Sequence, residues 1–268
     1  MKYLQFLLFV LIYPLSSHAY SNLSPYSYCG GEPVNCIDPT GCKIEGVTKE
    51  DAATIVEDFR AMFPGEIFAK FRELIIQSGN KQNGKTLAPI STDALSNAFS
   101  DINLNEDQQA LVDMVVNTIN SNDVHKVEFR NSDEVLSKIG KAAFLPGYMN
   151  GGASQYIPQI LERNGGLPLW LIMTDGGSGA TVQTKSGSHS VIVIDGIHSN
   201  GRAVTTGHEI LGHGRSWAAG FRDDFQHVEA IRTENLILRV MGIPFINTGI
   251  NHGPKTLVPQ PSLLPIFR

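Results

Sequence analysis

The run Thr205–Ser216, TTGHEILGHGRS, places two imidazoles and a carboxylate within six residues: His208, Glu209 and His213. Imidazole nitrogens are good zinc ligands, and a glutamate beside a ligand can serve as general base toward a metal-activated water. The usual form of this chemistry is H-E-x-x-H, in which two His four apart share one helix face. Here the His are five apart. A regular helix turns about 100° per residue, so the two rings would point roughly 140° apart and could not share a tetrahedral ion. One extra residue absorbed as a π-type bulge restores the alignment. Gly212, which has no Cβ, is the residue that could tolerate it. The expectation is a bulged helix with His208 and His213 as metal ligands. The alternative is two ordinary His on a surface helix.

A catalytic zinc takes three protein ligands and leaves one position open. The third ligand is expected from the following helical run, QHVEAIRTENLILRVMG. Two carboxylates compete there. Glu229 has Arg232 and Thr233 as helical neighbours, which suits a solvated surface acid. Glu234 has Ala230, Ile231, Ile237 and Leu238 around it, and a carboxylate on an apolar face demands a cation. Glu234 is therefore the expected ligand, with Glu229 the competitor and a salt bridge to an arginine the other explanation of Glu234. Further candidates are weaker. His227, seven residues before Glu234, could orient a ligand, stabilise an oxyanion or simply be a core histidine. His189 and His198 could line the cleft, Arg215 could pair with Asp195, and Asn247, His252 and the tail could close over the site.

The segment H-E-x-x-G-H resembles the zinc motif of dipeptidyl peptidase III, a gluzincin. Followed by a helix carrying E-x-x-x-x-E-N, it also resembles the zincin-type metallopeptidase domains of secreted bacterial toxins and effectors. The likeness covers about residues 204 to 239. It implies His208 and His213 as ligands and Glu209 as general base. In dipeptidyl peptidase III the third ligand is the second Glu of E-E-x-R-x-E. Aligning its Arg with Arg232 puts Ala230 at that place, so the third ligand does not carry over.

The elements that must position these residues divide the chain at about residue 122. The opening MKYLQFLLFVLIYPLSSHAYSN has Lys2, a short apolar run from Leu4 to Leu15, and a small-residue cleavage pattern at Ser17-His18-Ala19. It reads as a signal peptide over 1–19, and hence as a secreted or periplasmic protein with no membrane span after cleavage. Residues 20–46 form an irregular arm carrying Cys29, Cys36 and Cys42, whose odd number leaves the pairing open. Residues 47–121 read as helical: Thr48 and Asp51 cap one amphipathic run, 65–79 forms another, and Ser91 or Thr92 caps a third. From 122 the pattern turns mixed. His125–Phe129 alternates like a strand, 132–143 reads as a capped helix, and GLPLWLIMTDGG and SHSVIVIDG read as strands, the second at the sheet edge. The Gly-rich run between them reads as a flexible hairpin, and Thr205 or Thr206 as the cap of the motif helix. Together these give an α+β, zincin-like catalytic domain over 122–254 behind a helical region, with a Pro-rich tail over 255–268.

A net charge of −5 and the lack of a basic-aromatic patch argue against a nucleic-acid partner. The expected partner is a peptide or protein substrate, the cofactor Zn2+ and the reaction peptide-bond hydrolysis. Two rivals stand beside it: a non-catalytic secreted binding module on a zincin-like fold, and a metal-free helical interaction protein.

Overall fold

The computed structural model describes residues 44–79, 84–131, 178–194, 199–221, 224–250, 252 and 257–266. All belong to one compact unit, Cys42–Arg268. The signal-peptide expectation, the cysteine arm as far as residue 43, the helix expected at 132–143, and the strand expected in GLPLWLIMTDGG lie outside the described residues; the end of the arm, Ile44–Gly46, is a strand and not irregular.

The class is α+β. Strand β1, Ile44–Gly46, leads into helix α1, Lys49–Ala61. Thr48 caps α1 as expected: its hydroxyl accepts from the Asp51 backbone, and the Asp51 carboxylate accepts from the Thr48 N–H at 2.8 Å. The next helical run is shorter than its pattern suggests. It has a 3-10 turn at Glu66–Phe68 and a helix α2 at Ala69–Leu74, and Ile75 is already extended. Beyond it Gln77 and Leu87 form a bridge, so this chain doubles back on itself. Helix α3, Thr92–Ala98, is capped by Ser91, and α4, Glu106–Ile119, by a capping box of Asn105 and Gln108.

The sheet follows with β2, Val124–Arg130, then β3, Gly179–Thr184, and β4, Gly187–Val193. The spatial order is β1-β2-β4-β3; β1, β2 and β4 run parallel, and β3 is antiparallel to β4. This corrects the edge assignment. Among the described strands β4 is interior, and the edge beside it is β3, the Gly-rich run read as a flexible hairpin. Glycines and hydroxyls lowered its strand signal, whereas full pairing with β4 supplies the backbone hydrogen bonds.

After the sheet a single continuous helical run holds α5, Ser199–Gly207, a π segment, His208–Gly214, and α6, Arg215–Ala218. Thr205 and Thr206 lie inside this run and do not cap it. Thr205 bonds back to the Gly201 carbonyl, and Thr206 donates to buried Asp58 of α1 at 2.7 Å. Helix α7, Asp224–Val240, packs across the π segment.

One apolar core joins both parts of the chain. It contains Phe59, Phe63, Phe68 and Phe71 from the first helices, Val115 and Ile119 from α4, Ile210 and Leu211 from the motif, and Leu236 and Ile237 from α7. Residues 47–121 are thus packed directly against the segment that carries the motif. No helix among the described residues is long and apolar enough to cross a membrane.

Candidate metal centre

The π segment spans the motif itself, His208–Gly214. Bonding from i to i+5 brings residues five apart onto one face. The His208 and His213 rings accordingly lie with centroids 4.9 Å apart. Gly212 keeps a right-handed backbone, and its function is room. A Cβ there would stand 2.7 Å from Ala230 Cα on α7, so the glycine lets the widened turn pack on that helix.

The third member of the cluster comes from the chain after α7. His252 Nε2 lies 2.8 Å from His208 Nε2 and 3.5 Å from His213 Nε2. His208, His213 and His252 offer nitrogens all within 4.8 Å of one another, close enough to bind a metal ion. Tetrahedral ligands at the usual zinc–nitrogen length sit about 3.3 Å apart, between the two closest spacings.

Each ring has a partner on its other nitrogen. Glu234 Oε2 lies 2.9 Å from His208 Nδ1, Gln226 Oε1 3.1 Å from His213 Nδ1, and His227 Nδ1 2.8 Å from His252 Nδ1. The carboxylate and the amide oxygen can only accept, so the protons of His208 and His213 belong on Nδ1. The three Nε2 atoms face one another, 2.8 and 3.5 Å from the one on His252, so a proton shared between His208 and His252, or a cation, lies among them. Outer partners on Nδ1 are the common support of metal-bound His. Charge follows the same lines. Burial first, and neighbouring His second, hold His213 down to about 3 and His252 down to about 2, so both are neutral at ordinary pH. Burial also opposes charge on His208, but contact with Glu234 and the nearby Glu209 outweigh it and raise its pKa.

Glu234 is therefore placed on the outer nitrogen of His208, and its other close partner is the Asn247 amide at 3.0 Å. It does not belong to the three-donor group. Burial alone would raise its pKa, yet the His208 contact keeps it low and ionised. Glu229 is not a surface acid: it is 2% exposed, accepts from the Ile266 backbone at 2.7 Å, and feels Arg215. The chain after α7 explains why Glu229 is buried where the sequence suggested a solvated acid. Arg232, Asn235 and Glu229 all bond to residues between 247 and 266, so the outer side of α7 is covered rather than solvated.

Glu209 is buried against the edge strand. Its Oε2 accepts from Thr181 Oγ1 at 2.6 Å, and burial raises its pKa. His189 lies 3.7 Å from Glu128 on the sheet face opposite Ser188, which itself faces the motif; it does not line the cluster. His198 and Asp195 lie outside the described residues. The sequence signal for His252 was faint: a lone His between Asn251 and Gly253 in a segment with no periodicity, marked only as able to close over the site.

No family model, curated protein or solved structure matches the chain.

Proposed function

We propose that the protein is an exported zinc-dependent hydrolase of peptide bonds, with a zincin-like arrangement of motif helix and antiparallel edge strand. The observation that carries the reading is the set of three His whose ring nitrogens converge within 4.8 Å, each ring with a polar neighbour beside its Nδ1. His208, His213 and His252 hold the metal, and Glu234, Gln226 and His227 orient them. Imidazole donors suit zinc, and three of them leave the fourth position free. When bound, zinc supplies Lewis acidity that activates water and polarises a carbonyl.

Glu209 takes the proton of the attacking water and hands it to the leaving nitrogen. Its buried setting favours that role, because a carboxylate with a raised pKa holds the proton better between the two transfers. The substrate is an extended peptide that adds to the side of β3 left unpaired among the described residues. Export rests on the apolar N-terminal run and the Ser17-His18-Ala19 pattern.

The test is hydrolysis of an unstructured peptide pool by zinc-loaded protein, with Glu209→Gln as control. Cleavage that disappears with chelator and falls by roughly 10²–10⁴-fold in Glu209→Gln supports the proposal. Metal-loaded protein that cleaves nothing in the pool contradicts it.

A further inference from the structure

The inner face of the sheet beneath the motif is polar where a core would ordinarily be apolar. Thr181, Ser188 and Ser190 are all buried there. Ser188 is matched to His125 at 2.8 Å. Thr181 and Ser190 make a different chain: their hydroxyls are 2.7 Å apart, and Thr181 Oγ1 reaches Glu209 Oε2 at 2.6 Å and the Glu209 carbonyl at 3.2 Å. An ionised carboxylate only accepts, so Thr181 donates to Glu209. Its single proton is then committed, and Ser190 must donate to Thr181. The result is a directed relay, Ser190 to Thr181 to Glu209 Oε2. A second feature of the same strand concerns the other oxygen. A Cβ at Gly179 would stand 2.7 Å from Glu209 Oε1, so that oxygen occupies space which only glycine leaves open.

We infer that the edge strand β3 builds the general base: Thr181, backed by Ser190, fixes Glu209 Oε2, and Gly179 makes the room in which the carboxylate sits. This rests on the reading of Glu209 as base. Thr181 and Ser190 are positioning residues, for their side chains act through Glu209. The strand proposed to pair with the peptide then also aims the carboxylate, which fixes the base relative to the bound backbone.

The experiment uses the full zinc-loaded chain and one peptide that it cleaves. Thr181→Val, Thr181→Ser and Glu209→Gln are compared, alone and as the Glu209→Gln/Thr181→Val pair. Three quantities are read: kcat and KM, zinc per chain, and the affinity of acetohydroxamic acid, which chelates zinc as its anion and gives its proton to the neighbouring base. Thr181→Val is expected to lose roughly ten- to hundredfold in kcat, the worth of a hydrogen bond to a charged group. KM and zinc content stay near wild type, hydroxamate binding weakens, and Thr181→Ser restores both kcat and hydroxamate affinity. On the Glu209→Gln background the valine adds no further loss, because the relay acts only through the carboxylate. If Thr181→Val does not fold, Ser190→Ala carries the test, with a smaller drop of the same kind. Wild-type kcat and hydroxamate affinity in the folded variant, or an equal loss on the Glu209→Gln background, overturns the inference while leaving the base in place. A Glu209→Gln protein as active as wild type overturns both.

Discussion

At the residue scale the decisive difference is between a carboxylate that binds metal and one that binds a ligand's far side. Glu234 touches His208 Nδ1, where it holds the ring and its tautomer. Removing such a support typically weakens metal binding 10–100-fold without abolishing it. Glu234→Ala is therefore expected to weaken zinc by that factor in a competition titration against a chromophoric chelator. A complete loss would return Glu234 to the ligand set. Gly212 makes a second residue-scale claim. The nearest obstacle to a side chain is a backbone atom, Ala230 Cα, which cannot swing aside. Gly212→Ala should cost about 1–3 kcal/mol in urea unfolding by overpacking, despite the better helix propensity of alanine. A variant as stable as wild type would show that the approach to α7 is looser than 2.7 Å implies.

At the element scale the π segment rests on strands β2 and β4, and His125 of β2 is the buried group there that titrates. Burial first, and then Arg215, lower its pKa from 6.5 to about 4. A depressed folded-state value means that the unfolded chain takes up a proton which the native chain refuses. The stabilising contribution is intact above pH 6.5 and is lost as pH falls from there through about 4. The full difference is about 3 kcal/mol. Metal-free wild type should therefore lose that much more stability than His125→Gln between pH 7.5 and 4 (roughly the window those values define). Parallel stability profiles for the two would remove His125 as the cause.

How far these elements could be read from the sequence follows from where their signals lie. The caps at Thr48 and Ser91 are local chemistry, and the helices begin where those residues say. The π segment was legible because a known spacing was broken by one residue with a glycine inside it. The edge strand was not legible. Its β signal is weak, and its identity as edge depends on pairing order, which is a property of the sheet. Glu229 was misread for a related reason: the chain that covers it arrives 37 residues later. His252 belongs to that same covering segment, named in the sequence only as able to close over the site, so its place in the His cluster and the buried face of α7 were missed together.

At the scale of the whole molecule, the metal would join elements distant in sequence. His208 and His213 stand on the motif helix, and His252 follows α7 in a segment otherwise held by Asn235, Arg232 and Glu229. Binding to the native state alone stabilises it by about 4 kcal/mol when free zinc is a thousandfold above Kd. For a chain of this size that corresponds to a rise in Tm of roughly 10 °C, reversed by chelator. Unchanged melting with and without zinc would mean that no site is formed by folding. The most direct measurement of the central claim is zinc per chain on purified, chelator-free protein, in wild type, His252→Ala and Glu234→Ala. The account predicts one zinc in wild type, essentially none in His252→Ala, and zinc retained with weaker affinity in Glu234→Ala. Full zinc in His252→Ala together with its loss in Glu234→Ala would contradict the account.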